Sequence, residues 1–220
     1  ARHGIAVDPQ DLLPLLSPAY AAEHGGGAQS DWPLVGLWNE YRGALHGVRD
    51  IYRDIGDCPE ANSVFAAWRR RQIRRCDGEI WRIAADIVHA VLTFELSAGC
   101  SIGCPFCGIS AGKFAGNFPY TPENARLWRD ILATARGVLG AAVQGGFCYW
   151  ATDPSDNPDY PQFLEDYYHA TGALPQTTTA APMRNVALTR RVLALREKYR
   201  CVSNRFSILN LKTLDRVHAT

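Results

Sequence analysis

Three of the chain's seven cysteines, Cys100, Cys104 and Cys107, stand in the spacing C-x3-C-x2-C. They lie in Glu95-Leu96-Ser97-Ala98-Gly99-Cys100-Ser101-Ile102-Gly103-Cys104-Pro105-Phe106-Cys107-Gly108. Thiolates crowded into one loop are ligands for a soft metal or an iron–sulfur cluster. A cubane [4Fe–4S] cluster has four irons, and protein thiolates usually hold all of them. Three thiolates leave one iron without a protein ligand, and an open position lets a metal site take a substrate. Gly99, Gly103 and Gly108 let the backbone bend closely around such a group. A structural zinc site needs a fourth ligand, normally in a second CxxC-like pair. The next cysteine, Cys148, has no close partner. A disulfide framework belongs to small secreted chains with an even cysteine count.

Other polar groups sit where chemistry is conceivable. Asn204-Arg205-Phe206-Ser207 places a cation inside an apolar run. A mid-strand Arg needs a partner if buried, either a ligand or a structural ion pair. Gln176, Thr177, Thr178 and Thr179 crowd polar groups onto one short strand. Alternate members of that strand, Gln176 and Thr178, share a face, which is either a site wall or a half-solvated edge. Asp153-Pro154 reads as an ordinary turn or as a carboxylate presented after a strand. Cys148 and Cys201 read as packed strand thiols, and Cys58 and Cys76 as structural ones.

The bulk of the chain limits the alternatives. It has 220 residues, 47% apolar and 20% charged, with a formal net charge of +1. That composition is globular. Nothing in the charge points to nucleic acid or to an anionic membrane. No apolar stretch approaches the ~18 residues of a membrane span. No secretory signal pattern opens the sequence, so clustered thiols point to a reducing, cytoplasmic setting. The lone methionine is Met183, and the last residues stop inside a helical pattern. Both features lead us to expect a fragment, cut at one or both ends.

The elements that must position these groups follow from periodicity and punctuation. Residues 1–30, with Pro9, Pro14, Pro18 and Gly25-Gly26-Gly27, read as loosely ordered. Residues 31–90 read as helical, with Leu37, Tyr41, Leu45 and Val48 and then Val64, Phe65 and Trp68 at helical spacing. Arg69-Arg70-Arg71 and Arg74-Arg75 form a basic run, either a solvated helix face or a dock for an acidic peptide. Residues 91–96 read as a β-type run that ends at the cysteine loop. Thr121 and Pro122 open a helix that Gly137 or Gly140 closes. Residues 142–150 read as a second strand, and residues 161–171 as a helix closed by Gly172. Thr177–Thr179 reads as a third strand, 186–198 as an amphipathic helix, 201–209 as a fourth strand, and Asn210 as the cap of a last helix.

Strand and helix therefore alternate four times, which implies parallel strands joined by helical crossovers. A full (β/α)8 barrel needs about 250 residues. The expected fold is α/β: an N-terminal helical region over 1–90, then over 91–220 the first half of a partial TIM-type barrel. Functional loops in such barrels follow the strands, as the cysteine loop does.

At these residues the chain resembles the radical S-adenosylmethionine (SAM) superfamily. Its C-x3-C-x-aromatic-C signature is matched with Phe106 at the aromatic position. The resemblance implies that Cys100, Cys104 and Cys107 hold a [4Fe–4S] cluster whose open iron is chelated by SAM. An external electron donor then drives cleavage of SAM to methionine and a 5′-deoxyadenosyl radical. Ala151-Thr152-Asp153-Pro154 is similar to the Gly-Gly-Glu-Pro-like motif that meets the SAM amino group. Asp153 keeps a carboxylate there, and Thr152 replaces a Gly. Gly145-Gly146 competes for the motif, but Phe147 follows where an acid belongs. The resemblance also places Arg205 and Ser207 toward the SAM ribose and carboxylate, and Gln176 and Thr178 toward SAM or substrate.

A narrower likeness runs from Phe94 to His218. Glu95-Leu96-Ser97-Ala98-Gly99-Cys100-Ser101-Ile102-Gly103-Cys104, Phe118-Pro119-Tyr120-Thr121-Pro122-Glu123-Asn124 and Gly146-Phe147-Cys148-Tyr149-Trp150-Ala151-Thr152-Asp153-Pro154 resemble the radical SAM peptide epimerases. So do Asn157-Pro158-Asp159-Tyr160, Pro175-Gln176-Thr177-Thr178-Thr179, Asn204-Arg205-Phe206-Ser207 and Leu214-Asp215-Arg216-Val217-His218. These enzymes convert L-residues to D-residues in ribosomally synthesised precursor peptides. A Cα hydrogen is removed and another returned from the opposite face by a cysteine thiol, in this family downstream of the barrel core. Cys148 and Cys201 are the alternatives within this chain. Another radical SAM peptide maturase forming thioether, carbon–carbon or methyl bonds, and a non-catalytic metal-binding module, compete with this reading.

Overall fold

In a computed structural model of the chain, residues 8–17, 19, 33–56, 62–81, 87–199, 201 and 203–219 are described. The expected Gly25–Gly27 loop and Cys58 lie outside them. The chain falls into two compact units, residues 1–50 and 51–220.

In the first unit a 3-10 turn at Pro9–Leu12 runs into the short helix α1, Leu13–Leu16, with Pro14 in its first turn. Proline fits there because a first-turn N–H has no helical partner to lose. Residues 9–16 are thus helical turns where loose order was expected. Helix α2, Pro33–Gly56, begins in this unit.

The second unit carries the rest. Helix α3, Ser63–Ile80, opens where Asn62 accepts from the Phe65 N–H at 3.0 Å. Its basic run is mostly solvated, as Arg70, Arg71, Arg74 and Arg75 are exposed. Arg69 is the exception: it is buried and donates to the His89 carbonyl at 2.7 Å.

Helix α4, Pro122–Leu139, begins and ends as its sequence requires. The Thr121 hydroxyl accepts from the Asn124 N–H at 3.2 Å, Pro122 takes the first turn, and Gly140 turns out of the helix at φ 59°. Ala125, Trp128, Leu132 and Leu139 form its buried stripe. Helix α5, Tyr160–Thr171, buries Tyr160, Phe163, Leu164 and Tyr167 and stops at Gly172 in the left-handed conformation, φ 82°. Phe94 and Phe163 meet the Trp128 ring edge-on at centroid distances of 4.6 and 5.7 Å. The Trp128 Nε1–H is satisfied by the Phe163 carbonyl at 3.1 Å. Such rings supply most of the apolar burial of a small core. Helix α6, Val186–Tyr199, adds Leu188 and Val192, and α7, Leu211–His218, starts at the Asn210 side chain, which accepts from Thr213 at 2.8 Å.

The strands are short. β1, Ser97–Ala98, pairs antiparallel with β2, Gly116–Asn117. β3, Thr177–Thr179, pairs parallel with β4, Asn204–Phe206, in the register Thr177↔Asn204, Thr178↔Arg205, Thr179↔Phe206. Isolated parallel bridges join Thr93 to Phe147 and Cys100 to Lys113.

The fold is mixed α/β and mostly helical, and the described residues form no closed barrel. Three expected strands are curtailed. The run 91–96 contributes a single bridge at Thr93. The run 142–150 is replaced over Gly140–Gly145 by a 3-10 turn, with a bridge left at Phe147 and a backbone bond from the Trp150 N–H to the Phe94 carbonyl. There the Val143 carbonyl, which a ladder would use, accepts instead from the Tyr167 hydroxyl and from the Gly146 N–H. The run 201–209 keeps only its centre, because the Cys201 N–H still bonds back to Arg196 at the end of α6. Parallel pairing through helical crossovers does hold for β3–α6–β4. Among the described residues, no helix is long and apolar enough to cross a membrane.

Candidate metal centre

The cysteine loop spans the interval between β1 and β2, so both ends are pinned by one small hairpin. The Ala115 N–H bonds to the Ala98 carbonyl at 2.8 Å and the Cys100 N–H to the Gly112 carbonyl at 2.9 Å. Gly99 and Gly103 turn the chain at φ 71° and 64°, values that a side chain penalises. Gly99 also presses on the Lys113 and Gly112 carbonyls, which a Cβ would meet. Beyond it, Cys107 N–H to Cys104 carbonyl (3.1 Å) and Ser110 N–H to Cys107 carbonyl (3.2 Å) close two successive turns.

All three thiols are free; Cys100 and Cys104 are half-buried and Cys107 is exposed. Backbone N–H groups of Ala111, Ile109 and Ser110 around Cys107 hold its thiol below the usual value. Burial, with the charges of Cys100, Asp153 and Cys107 behind it, raises that of Cys104. The Ile102 N–H donates to the Cys100 sulfur at 3.5 Å. N–H donors aimed at sulfur suit thiolates that carry cluster charge. Among the described residues no three His, Cys, Asp or Glu side chains are gathered closely enough to hold a metal ion. The donor set is that of a cluster by residue type and spacing, although the three side chains do not converge on one point.

The loop is held from behind by one turn, residues 153–159. The Asp153 carboxylate is buried and accepts from the Ser155 N–H (2.9 Å), the Thr179 hydroxyl (2.8 Å) and the Ala180 N–H (2.8 Å). Asp156 accepts from the Ser101 N–H at 3.0 Å and from the Ser101 hydroxyl, and pairs with Arg184 at 2.9 Å. Asn157 donates to the carbonyls of Leu96 (2.8 Å) and Phe118 (3.0 Å). Asp159 accepts from the Tyr120 N–H at 2.9 Å. Four side chains of one turn thus satisfy donors and acceptors on four other segments.

A second polar group forms on the sheet face opposite the core. Thr177 and Thr179 are buried, while Gln176 and Thr178 lie on the other face. Gln176 Nε2 and the Thr178 hydroxyl both donate to the Tyr149 phenol, at 2.8 and 3.0 Å. Arg205 is exposed; its Nε donates to Thr178 at 3.1 Å and its Nη2 to Tyr149 at 3.5 Å. Gln176, Thr178 and Arg205 are therefore brought together, around a tyrosine that the sequence reading did not single out. Ser207 enters through its backbone N–H, which bonds to the Thr179 carbonyl at 2.8 Å.

Thr152 has a buried hydroxyl with no hydrogen-bond partner among the described residues. An orphaned buried donor is costly unless a ligand meets it. Phe106 stands exposed on the loop. Cys148 and Cys201 do not join either polar group. Cys148 is fully buried, its thiol pushed well up by burial, and Cys201 donates to the Ser203 carbonyl at 3.3 Å. Ser101, Tyr149, Asp156, Asn157, Asp159 and Arg184 were missed. Ser101, Tyr149, Asn157 and Asp159 stand in stretches that carry the resemblance, which gave them no role; Asp156 left no signal beyond the acid-rich, proline-broken run 153–159, and Arg184 left none.

The chain is 48% identical over 217 residues to a protein of Sinorhizobium fredii (strain NBRC 101917 / NGR234) named uncharacterized protein y4wI. The match takes in 99% of this chain and 42% of that protein, so the chain spans less than half of this relative. No protein-family model matches the chain. No solved structure matches it either.

Proposed function

We propose that the chain is the cluster-binding part of a cytoplasmic radical SAM enzyme, acting on a ribosomally made peptide as an L-to-D epimerase. The observation that carries this reading is the loop of Cys100, Cys104 and Cys107: three free thiols on one glycine-bent loop, in the superfamily's spacing. A [4Fe–4S] cluster bound there supplies, with an external electron donor, the reductive cleavage of SAM to a 5′-deoxyadenosyl radical that takes a peptide Cα hydrogen.

The chain's own residues have distinct tasks in this reading. Cys100, Cys104 and Cys107 are the ligands, and Phe106 is the aromatic residue beside them that would border the cofactor. Both Asp153 oxygens are already occupied by Ser155, Thr179 and Ala180. Its task is therefore to shape the 151–153 backbone, leaving the unpartnered Thr152 hydroxyl to meet SAM. Arg205, Thr178, Gln176 and Tyr149 form a donor-rich face for the polar end of SAM or for substrate, with Ser207 at its rim. Cys148 and Cys201 pack in the core, and the returning hydrogen comes from elsewhere in the full-length enzyme.

The test is anaerobic reconstitution of the full-length protein with iron and sulfide, then reduction with SAM and assay for 5′-deoxyadenosine. The Cys100/Cys104/Cys107→Ala triple variant is the control. Formation by wild type alone supports the reading, and deuterium uptake from D2O into peptide then identifies epimerisation. Zinc uptake, or an intact cluster that leaves SAM uncleaved, replaces it with a non-catalytic metal-binding module.

A further inference from the structure

Ser101 follows the first cysteine of the loop, and both of its polar groups are claimed by one side chain. Its N–H donates to Asp156 Oδ2 at 3.0 Å, and its hydroxyl to Asp156 Oδ1. Arg184, from the segment between β3 and α6, bonds to the same hydroxyl and sets its Nη1 2.9 Å from Asp156 Oδ1. The Asp156 side chain is 1% exposed and that of Arg184 is 49% exposed. Asp156 is thus a buried carboxylate whose compensation comes from one half-exposed cation and two donors on the cysteine loop. A buried charge of this kind is tolerated only while its partners stay in place.

The backbone of the same turn is tied down as well. Asn117 Nδ2 donates to the Asp156 carbonyl at 2.8 Å, and the Ser97 hydroxyl donates to Asn117 Oδ1 at 2.8 Å. Asp156 therefore cannot drift from the hairpin that flanks the loop. The three anchors surround the loop on three sides: β1–β2 at its base, the 153–159 turn behind it, and the β3–α6 segment beside it.

We infer that Asp156 is a positioning residue for the cysteine loop, holding Ser101 with Arg184 as its counter-ion, so that the pair sets both the placement and the charge environment of whatever the three thiols bind. This rests on the cluster reading for the nature of the bound group, but not for the positioning itself. Partners of this kind orient the ligands of a metal site and tune it. The pair is neutral as it stands. Removing the carboxylate charge leaves the Arg184 cation beside the loop, and removing the guanidinium leaves the Asp156 anion there. Net charge around an iron–sulfur cluster is one of the factors that set its reduction potential. The two removals must therefore shift that potential in opposite senses, whereas generic loosening of the loop would move both the same way.

The experiment uses the full-length protein as wild type, Asp156→Asn, which keeps the side-chain shape, and Arg184→Gln, which removes the charge and keeps a polar amide on a shorter stem. In the first arm, metal-free protein is treated with iodoacetamide, and labelling of Cys100, Cys104 and Cys107 is followed by mass spectrometry. Both variants should label several-fold faster than wild type at Cys100, with Cys76 unchanged as the internal control. In the second arm, iron- and sulfide-reconstituted proteins are titrated by electron paramagnetic resonance. Asp156→Asn should shift the potential upward and Arg184→Gln downward. Wild type that binds no cluster defeats the function proposed above while the labelling arm still decides the positioning role. Labelling rates equal to wild type overturn that role, and potentials that are unchanged or move in one common direction overturn the electrostatic part.

Discussion

Asn157 Nδ2 donates to the Leu96 carbonyl at 2.8 Å, across 61 residues of sequence, and so fastens the 153–159 turn to the residue just before β1, where the chain enters the cysteine loop. The same amide nitrogen donates to Phe118 at 3.0 Å just beyond β2, while the amide oxygen accepts from the Asp159 N–H at 2.9 Å. Asn157 is itself 1% exposed. One side chain therefore completes both ends of the hairpin that frames the loop.

Asn157→Ala should be costly for that reason. It deprives the Phe118 carbonyl and the Asp159 N–H of the amide and leaves the Leu96 carbonyl with only its bond from the Phe118 N–H at 3.0 Å. A group left unsatisfied costs about 1–3 kcal/mol. Partial relaxation leaves an expected loss of about 2–3 kcal/mol in urea unfolding. Asn157→Asp should lose more, because a carboxylate would face the Leu96 and Phe118 carbonyls as a second acceptor. Equal unfolding midpoints for wild type and Asn157→Ala would count against this account.

Gly99→Ala tests the loop from its other end. At φ 71° an L-residue pays about 1–2 kcal/mol. The added methyl also meets the Lys113 and Gly112 carbonyls. The expected outcome is a loop displaced at Cys100, read as faster alkylation of that thiol in the metal-free protein, with global unfolding shifted by roughly 1–3 kcal/mol. Gly103→Ala, where open space surrounds the position, should show the smaller backbone penalty alone.

The contrast between these elements explains what was legible in sequence. Helices α4 and α5 could be read because their signals are local: Thr121 and Pro122 at one start, Gly140 and Gly172 at the stops. The strand at Thr177–Thr179 and the face shared by Gln176 and Thr178 follow from a period of two. The cysteine spacing is visible by itself. What failed was non-local. Residues 142–145 have strand composition, but Tyr167 captures the Val143 carbonyl from another helix. Asp153, Asp156, Asn157 and Asp159 look like turn formers, and only the fold reveals that their partners are Thr179, Ser101, Leu96 and Tyr120.

Alkaline pH should unfold the core in a recognisable window. Burial raises the thiol of Cys148 and the phenols of Tyr160 and Tyr167 well above their ordinary values. Their unfolded values are roughly 8.5 for a thiol and 10 for a phenol. Groups raised in the folded state contribute stability that is complete below the unfolded value and is lost as pH climbs toward the folded one. The urea midpoint should therefore hold from pH 7 to about 8.5 and fall steadily by pH 10.5. Cys148→Ala should make the decline shallower below about pH 10, with the buried thiol of Cys201, also raised by burial, keeping part of it. A midpoint that stays level through this range would contradict the burial of these three groups.

The phenol of Tyr149 separates a binding face from a purely structural one. Gln176, Thr178 and Arg205 reach it from β3, its leading residue and β4. Tyr149→Phe keeps the ring, which packs on Phe147 at a centroid distance of 4.6 Å, and deletes only the oxygen. Gln176 and Thr178 then lose an acceptor, a cost of about 0.5–1.5 kcal/mol for a half-buried hydrogen bond. If this face receives SAM in the reconstituted protein, the variant should bind it several-fold more weakly, and Arg205→Met more weakly still, because a charged donor is lost with it. Equilibrium dialysis with SAM reads the affinity, and urea unfolding reads the stability. A fall in stability with undiminished SAM retention would assign the array to holding β3 against β4. Weaker retention with the cluster content intact would assign it to the ligand, because the ring packing and the strand register survive in Tyr149→Phe.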